Sequence, residues 1–272
     1  MNKVNRILLY AANIMFAVIA VAPLIYALFI SLMPPQQIFA FPPKLMPKSF
    51  YIQNYIDALN TAPILKFISN SFIVSLLVTL GQVITSCMAA FAFSFFNFKG
   101  KNILFILMLA TMMIPAEATM ISNYLTVGSL GWLDSYKALV VPYLSSAMGI
   151  FMMRQYYLTL PKELYEAAKI DGCNSLRFLI SIIMPMSKPI VGSLGIYTFL
   201  VTWNQYLWPL LVTSKDSSRT VQIGISMLQF SENQSFGLIM AGIVMVLLPS
   251  ILIFIFGQKQ LVEGMTSGAI KG

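Results

Sequence analysis

Apolar residues along this chain gather in long runs and do not form a single helical stripe. The runs lie near 7–33, 68–94, 103–127, 138–157, 190–212 and 236–257. Each approaches or exceeds the roughly 20 mostly apolar residues that a helix needs to cross a bilayer core. The pattern predicts an all-α integral membrane protein of about six transmembrane helices. The fourth run is the weakest, because Pro142 opens it and Arg154 sits near its end. Prolines inside other runs (Pro23, Pro115, Pro209, Pro249) are compatible with lipid where neighbouring groups satisfy the freed carbonyls. Lys3 and Arg6 precede the first run, which is too long for a signal-peptide core and is followed by further runs of the same kind. It reads as the first membrane helix.

Composition changes this picture little and narrows the chemistry a great deal. The 272 residues are 58% hydrophobic and 10% charged, with a mean hydropathy of +0.80. Soluble domains are about a quarter charged, and so little polar material could not cover this much apolar surface in water. The absence of histidine removes imidazole acid/base chemistry, Ser-His and Cys-His nucleophile pairs, and nearly all zinc and haem sites. Cys87 lies in an apolar stretch and Cys173 in a polar loop, so they read as two small unpaired side chains. Gly100-Lys101-Asn102 is the nearest approach to a phosphate-binding loop, and it lacks the hydroxyl and the first glycine. No catalytic residue and no metal site is expected. If ATP is used, another chain must bind it.

The charges set an orientation. With a cytoplasmic N-terminus, Lys3, Arg6, Lys99, Lys101, Arg154, Lys162, Lys169, Arg177, Lys188, Lys259 and Lys271 fall inside. Lys44, Lys48, Lys66, Lys137, Lys215 and Arg219 fall outside, so both termini are predicted to be cytoplasmic. The net charge of +8 is then topological, and no nucleic-acid partner is expected. The external segment 34–66 is rich in proline and then mildly amphipathic from Tyr51 to Leu65. It reads equally as a lid or docking surface and as a plain connector.

The internal loop 158–188 carries most of the functional argument. Pro161 suits a first helical turn, Glu163 favours the positive dipole end, and Gly172 supplies a left-handed stop. The spacing places Leu164, Ala167 and Ala168 on one small apolar face, flanked by Glu166 and Lys169. A second helix is predicted from about Asn174 or Ser175, through Leu176, Phe178, Leu179 and Ile182, stopping before Pro185. Such a helix pair suits docking onto another protein. The alternative is an amphipathic hairpin resting on lipid, against which the charges of the first helix argue.

Glu166-Ala167-Ala168, Asp171-Gly172, Ile182, Pro185 and Pro189 resemble the EAA loop of binding-protein-dependent ABC import permeases. Trp203-Asn204 to Trp208-Pro209 and the ending from Gln258 to Gly272 are similar to the carbohydrate permeases of the maltose-type, MalG-like branch. The resemblance covers nearly the whole chain, with one departure at Cys173, where alanine is common. It implies one permease domain over 1–272, with a MetI-like core at about 66–258, a coupling loop at about 158–188 and a cytoplasmic tail at 259–272. It further implies a coupling helix near 163–171 that seats in an ATPase groove, using Glu163, Leu164, Glu166, Ala167, Ala168, Asp171 and Gly172. The tail, through Gln258, Gly264, Gly268 and Lys271, would reach the same ATPase, although its small residues alone read as a frayed terminus. Implied partners are a second, homologous permease in a heterodimer, a dimer of ATPase subunits holding ATP and Mg, an extracytoplasmic substrate-binding protein and the lipid of a bacterial-type cytoplasmic membrane. The implied cargo is a sugar or related solute, the alternatives being a glycerol phosphate or polyol, or a peptide.

Polar groups within the runs are candidates for a substrate pathway. Glu117 follows Ile114-Pro115-Ala116, and a carboxylate at the bilayer centre costs about 2.5–3.5 kcal/mol on insertion scales. It reads either as a substrate acceptor or gate, or as a group near the outer interface or paired with another subunit. Trp203, Asn204, Gln205, Tyr206 and Trp208 form an aromatic-amide cluster suited to sugar C–H faces and hydroxyls, although aromatics also gather at membrane interfaces. Asn204 is the first choice among them. Two rivals remain. A stand-alone channel or secondary transporter is disfavoured by the lack of an internal repeat. An intramembrane enzyme lacks histidine or an aspartate pair.

Overall fold

The computed structural model describes residues 3–229 and 235–266, and every regular element among them is helical. In chain order these are α1 (Lys3–Ser31), α2 (Pro35–Ile38), α3 (Gln53–Thr61), α4 (Ile64–Phe95), α5 (Lys101–Thr111), α6 (Ala116–Ser129), α7 (Tyr136–Val140) and α8 (Ala147–Tyr157). They continue as α9 (Glu163–Ile170), α10 (Ser175–Phe178), α11 (Met184–Met186), α12 (Lys188–Trp203), α13 (Leu207–Val212), α14 (Val221–Gln229) and α15 (Phe236–Thr266).

Among the described residues three unbroken helical stretches are long and apolar enough to cross a membrane: Asn5–Ser31, Ile64–Phe95 and Phe236–Val262. Three bent pairs bring the total to as many as six spans, the number the sequence pattern predicts, although the third pair is Ser175–Met186 with Lys188–Trp203 and not the run 190–212. The bends correct its details. The run 103–127 is not one helix, because α5 and α6 diverge by 95°. Pro115 lacks the N–H that a continuous helix would use and pushes the residue before it out of helical geometry. A 40° bend separates Tyr136–Tyr143, which contains Pro142, from α8, with the break at residues 144–146. The run 190–212 is interrupted at Asn204–Tyr206, between α12 and α13.

The second loop helix does not stop before Pro185. It passes from α10 through a π-helical turn, Leu179–Ile183, into α11, and bends by 83° into α12 at Ser187. Proline is harmless at Pro185 because the wide turn ahead of it has already displaced the bonding register. Ser187 closes the end, its hydroxyl donating to the Ile183 carbonyl at 2.7 Å.

The chain forms two compact units. The first comprises residues 1–65 and 223–249. Its buried Asn54 donates to the carbonyls of Ser31 and Met33, each at 2.9 Å, satisfying groups left open where α1 ends. Gly237 packs on that amide, since a Cβ there would lie 2.5 Å from Asn54 Nδ2. Most of α1 is bare, only 11% of its apolar window being buried, as suits a surface solvated by lipid or a partner helix.

The second unit comprises residues 66–222 and 250–272 and holds two apolar clusters. One gathers Val74, Val78, Leu139, Trp208 and Val212. The other joins Phe91 of α4, Met153 and Tyr157 of α8, Ala168 of α9, Phe178 and Ile183. Near the first cluster Asp134, at a φ of 56°, accepts the backbone N–H groups of Ser214 and Lys215, which hold its carboxyl below the usual carboxylate range. Its own N–H donates to the Val212 carbonyl at 2.9 Å, so one residue fastens two connectors.

Candidate functional site

The helix α9 is short, and its ends explain why it forms at all. Glu163 and Glu166 lie in its first turn, where the helix dipole favours negative charge. At the other end Gly172 adopts a φ of +73°. The N–H of Cys173 donates to Ala168 O at 2.9 Å and that of Gly172 to Lys169 O at 3.1 Å. These are the two bonds of a Schellman stop. A Cβ on Gly172 would meet nothing within 4 Å, so the position needs glycine for its backbone and not for space.

An aromatic socket seats the helix. Tyr165 packs against Phe178 (ring centroids 5.0 Å apart), Phe95 (5.4 Å) and Phe91 (6.1 Å). Its hydroxyl pairs with Ser175 Oγ at 3.1 Å. Each such ring pair contributes about 0.5–1.5 kcal/mol beyond its buried area, so three of them outweigh the weak intrinsic stability of an eight-residue helix. Ala168 is buried and Leu164 half-buried against the same cluster.

The expected small apolar face is therefore divided. Leu164 and Ala168 turn inward to their own chain, while Ala167 stays exposed beside Glu163, Glu166, Asp171 and Gly172. The outward face carries one residue that sequence reasoning missed. Ile170 is 87% exposed, and with Glu163, Glu166 and Ala167 it completes an i, i+3, i+4, i+7 stripe. That spacing was legible in advance. The socket was not, because its rings come from α4, α9 and α10.

The aromatic-amide cluster also separates. Trp203 is 1% exposed and stacks on Phe199 at 5.9 Å and 18°. Trp208 is buried, its indole N–H donating to Ala138 O at 3.0 Å and its ring meeting Tyr143 edge-on. Neither indole is open for stacking on a solute. Tyr206 and Gln205 are half-buried. Asn204 alone is exposed, its amide donating to Leu200 O at 2.8 Å and its carbonyl accepting from Gln222 at 3.4 Å. Gln222, which the sequence did not single out, thus joins Asn204 at the break between α12 and α13. Glu117 is exposed in the first turn of α6, just after the 95° bend, where the helix dipole suits its charge.

As far as the tail is described, α15 remains helical through Thr266, unlike the frayed terminus that its small residues taken alone suggest. Gln258 is exposed. Gly264 is buried, and a Cβ there would come within 2.8 Å of the Pro189 carbonyl. Packing on the start of α12 overrides the poor helix propensity of the segment. Gly268 and Lys271 lie outside the described residues. Among the described residues no group of three or more His, Cys, Asp or Glu side chains could hold a metal ion.

A short helix thus stands packed on one face against an aromatic socket and exposed on the other. Residues 82–266 match the family of binding-protein-dependent transport system inner membrane components, and the chain belongs to that family. It is a multi-pass permease subunit. It is 34% identical over 251 residues to the sn-glycerol-3-phosphate transport system permease protein UgpE of Escherichia coli O1:K1 / APEC, covering 89% of each chain. It is 36% identical to the arabinooligosaccharides transport system permease protein AraQ of Bacillus subtilis (strain 168), covering 83% of this chain and 81% of that one. The fold matches a chain of a bacterial ABC transporter involved in the import of the acidic polysaccharide alginate. The TM-score is 0.84 at 21% identity, over 95% of this chain and 98% of the other.

Proposed function

We propose that this permease passes a sugar or a related polyhydroxylated solute, delivered by an extracytoplasmic binding protein, through a path it shares with a second, homologous permease. ATP and Mg are bound and ATP is hydrolysed on a separate ATPase dimer. The α9 helix seats in a groove of that dimer, presenting Glu163, Glu166, Ala167 and Ile170. One observation carries the reading: an isoleucine 87% exposed on a helix whose opposite face is locked in an aromatic socket. Ile170 gains its meaning from the stripe it completes with Glu163, Glu166 and Ala167, one exposed helical face that a partner groove would cover.

The mechanism follows from rigidity. When ATP draws the two ATPase subunits together, a helix held in each groove must move with it. The socket passes that movement to α4 through Phe91 and Phe95 and to α10 through Phe178, shifting the population between inward- and outward-open states. The sugar reading is supported by the arabinooligosaccharide relative. The glycerol-3-phosphate relative supports the variant with a phosphorylated polyol.

The test is a mild-detergent pull-down of the tagged chain from its host, followed by uptake in proteoliposomes with the recovered subunits. An ATPase and a second permease should co-purify, and Glu166→Lys should release the ATPase. Labelled arabinooligosaccharide against labelled glycerol 3-phosphate then separates the two cargoes. Recovery of this chain alone, with uptake indifferent to ATP, would overturn the proposal.

A further inference from the structure

A second polar site lies beside α9. Where α4 gives way to α5 and α8 ends, a cleft of about 550 Å³ is lined by Ser94, Asn97, Lys101, Asn102, Arg154 and Lys162. Three of these are cations, from three separate segments, and no carboxylate lines the cleft. None of the three makes an ion pair with a described carboxylate. Lys101 Nζ donates only to the carbonyls of Phe96 (2.8 Å) and Ser94 (3.4 Å). Arg154 is held flat, its guanidinium 4.0 Å above the Phe105 ring and its Nε 3.4 Å from Phe93 O. Lys162 forms the wall shared with a smaller adjoining cleft that also contains Glu166 and Lys169.

Like charges gathered in a partly enclosed site repel unless an anion joins them. We propose that this cleft binds a phosphate-bearing anion, the phosphodiester headgroup of an anionic phospholipid. The cations meet the phosphate oxygens, and Asn97 and Asn102 offer amides to headgroup hydroxyls. Phe98, Ile103 and Leu158 supply apolar walls for the first carbons of the acyl chains. The cleft lies at the face predicted to be cytoplasmic, where membrane ends carry anionic lipid and basic pockets between helices recognise it. The binding does not depend on which solute is transported.

Native mass spectrometry of the full chain, purified with its co-purifying subunits, tests this by titration with dioleoylphosphatidylglycerol, dioleoylphosphatidylcholine or inorganic phosphate. Wild type should retain phosphatidylglycerol in preference to phosphatidylcholine. Lys101→Gln and Lys162→Gln should each weaken that retention about fivefold or more. Displacement of the lipid by inorganic phosphate, lost in the same variants, would support the phosphate site with a soluble source. Equal retention of the two lipids, or unchanged phosphatidylglycerol binding in both variants, overturns the proposal. So does loss of co-purifying subunits in Lys162→Gln with lipid retention unchanged, which would place the charge at a protein interface. If Arg154→Gln fails to insert, the two lysine variants still decide the matter.

Discussion

The α9 loop and the Trp203–Trp208 segment both carry exposed polar groups beside buried aromatic rings, yet they are organised in opposite ways. In the α9 loop the rings fix a helix so that its far side is displayed. At Trp203–Trp208 the indoles are consumed inside the bundle, and only Asn204 at the helix break is offered outward. An aromatic residue beside a polar one is therefore not in itself a binding motif. What matters is whether the ring faces the ligand or the scaffold. In the proposed coupling the first segment would transmit force through its rings, whereas the second packs its rings beside a helix break.

The largest expected effect comes from breaking the stop of α9. Gly172→Pro cannot adopt a φ of +73° and removes the N–H donated to Lys169 O, so ATP-driven uptake should be abolished while the chain still inserts. Normal uptake would show that the helix end is not part of coupling. Tyr165→Ala should follow, with a loss of about 3–5 kcal/mol at a well-packed aromatic site and a fall in ATPase stimulation exceeding any fall in solute binding. Trp208→Phe should be milder still, about 1 kcal/mol for the lost bond to Ala138, read as a lower melting temperature with uptake retained. Asn204→Ala sharpens the contrast, since it should change apparent solute affinity several-fold and leave the melting temperature nearly unchanged.

The smallest effect concerns pH. Backbone donors depress the Asp134 carboxyl, so its stabilisation is present above the ordinary carboxylate value and is lost as pH falls through the lower, folded value. Asp134→Asn should melt below wild type near neutrality, with the difference closing below about pH 4. A difference that persists in acid would assign the effect to shape and not to charge.

The sequence was most legible where its signals are local. Six apolar runs, Pro161 and Gly172 predict the spans and the loop helix because each acts on its own neighbourhood. Pro115 was read as tolerable within one span, and the 95° bend between α5 and α6 corrects that reading. The break at Asn204 was missed although Asn204 and Gln205 interrupt the apolar run, because those amides were read as a solute pathway and the turn's partners, Leu200 and Gln222, are not evident from spacing. Pro185 misled because a proline is harmless once a wide turn precedes it. The division between Leu164 and Ala167 also escaped, because helical spacing groups residues by angle and cannot say which side another segment will cover. Gly264 looked like a helix breaker and is instead the clearance that lets α15 reach Pro189.

The length of α4 has a consequence for the membrane around the protein. Its 32 residues extend about 48 Å, well beyond the roughly 30 Å of a hydrocarbon core. Its last two turns, which include Phe91 and Phe95, are the ones that grip Tyr165. A thicker bilayer would hold α4 upright and a thinner one would let it lean. Either change alters the height and angle at which α9 is presented. If α9 is the coupling helix proposed above, the lipid would set its working height, and uptake rates in bilayers of graded acyl length should pass through an optimum.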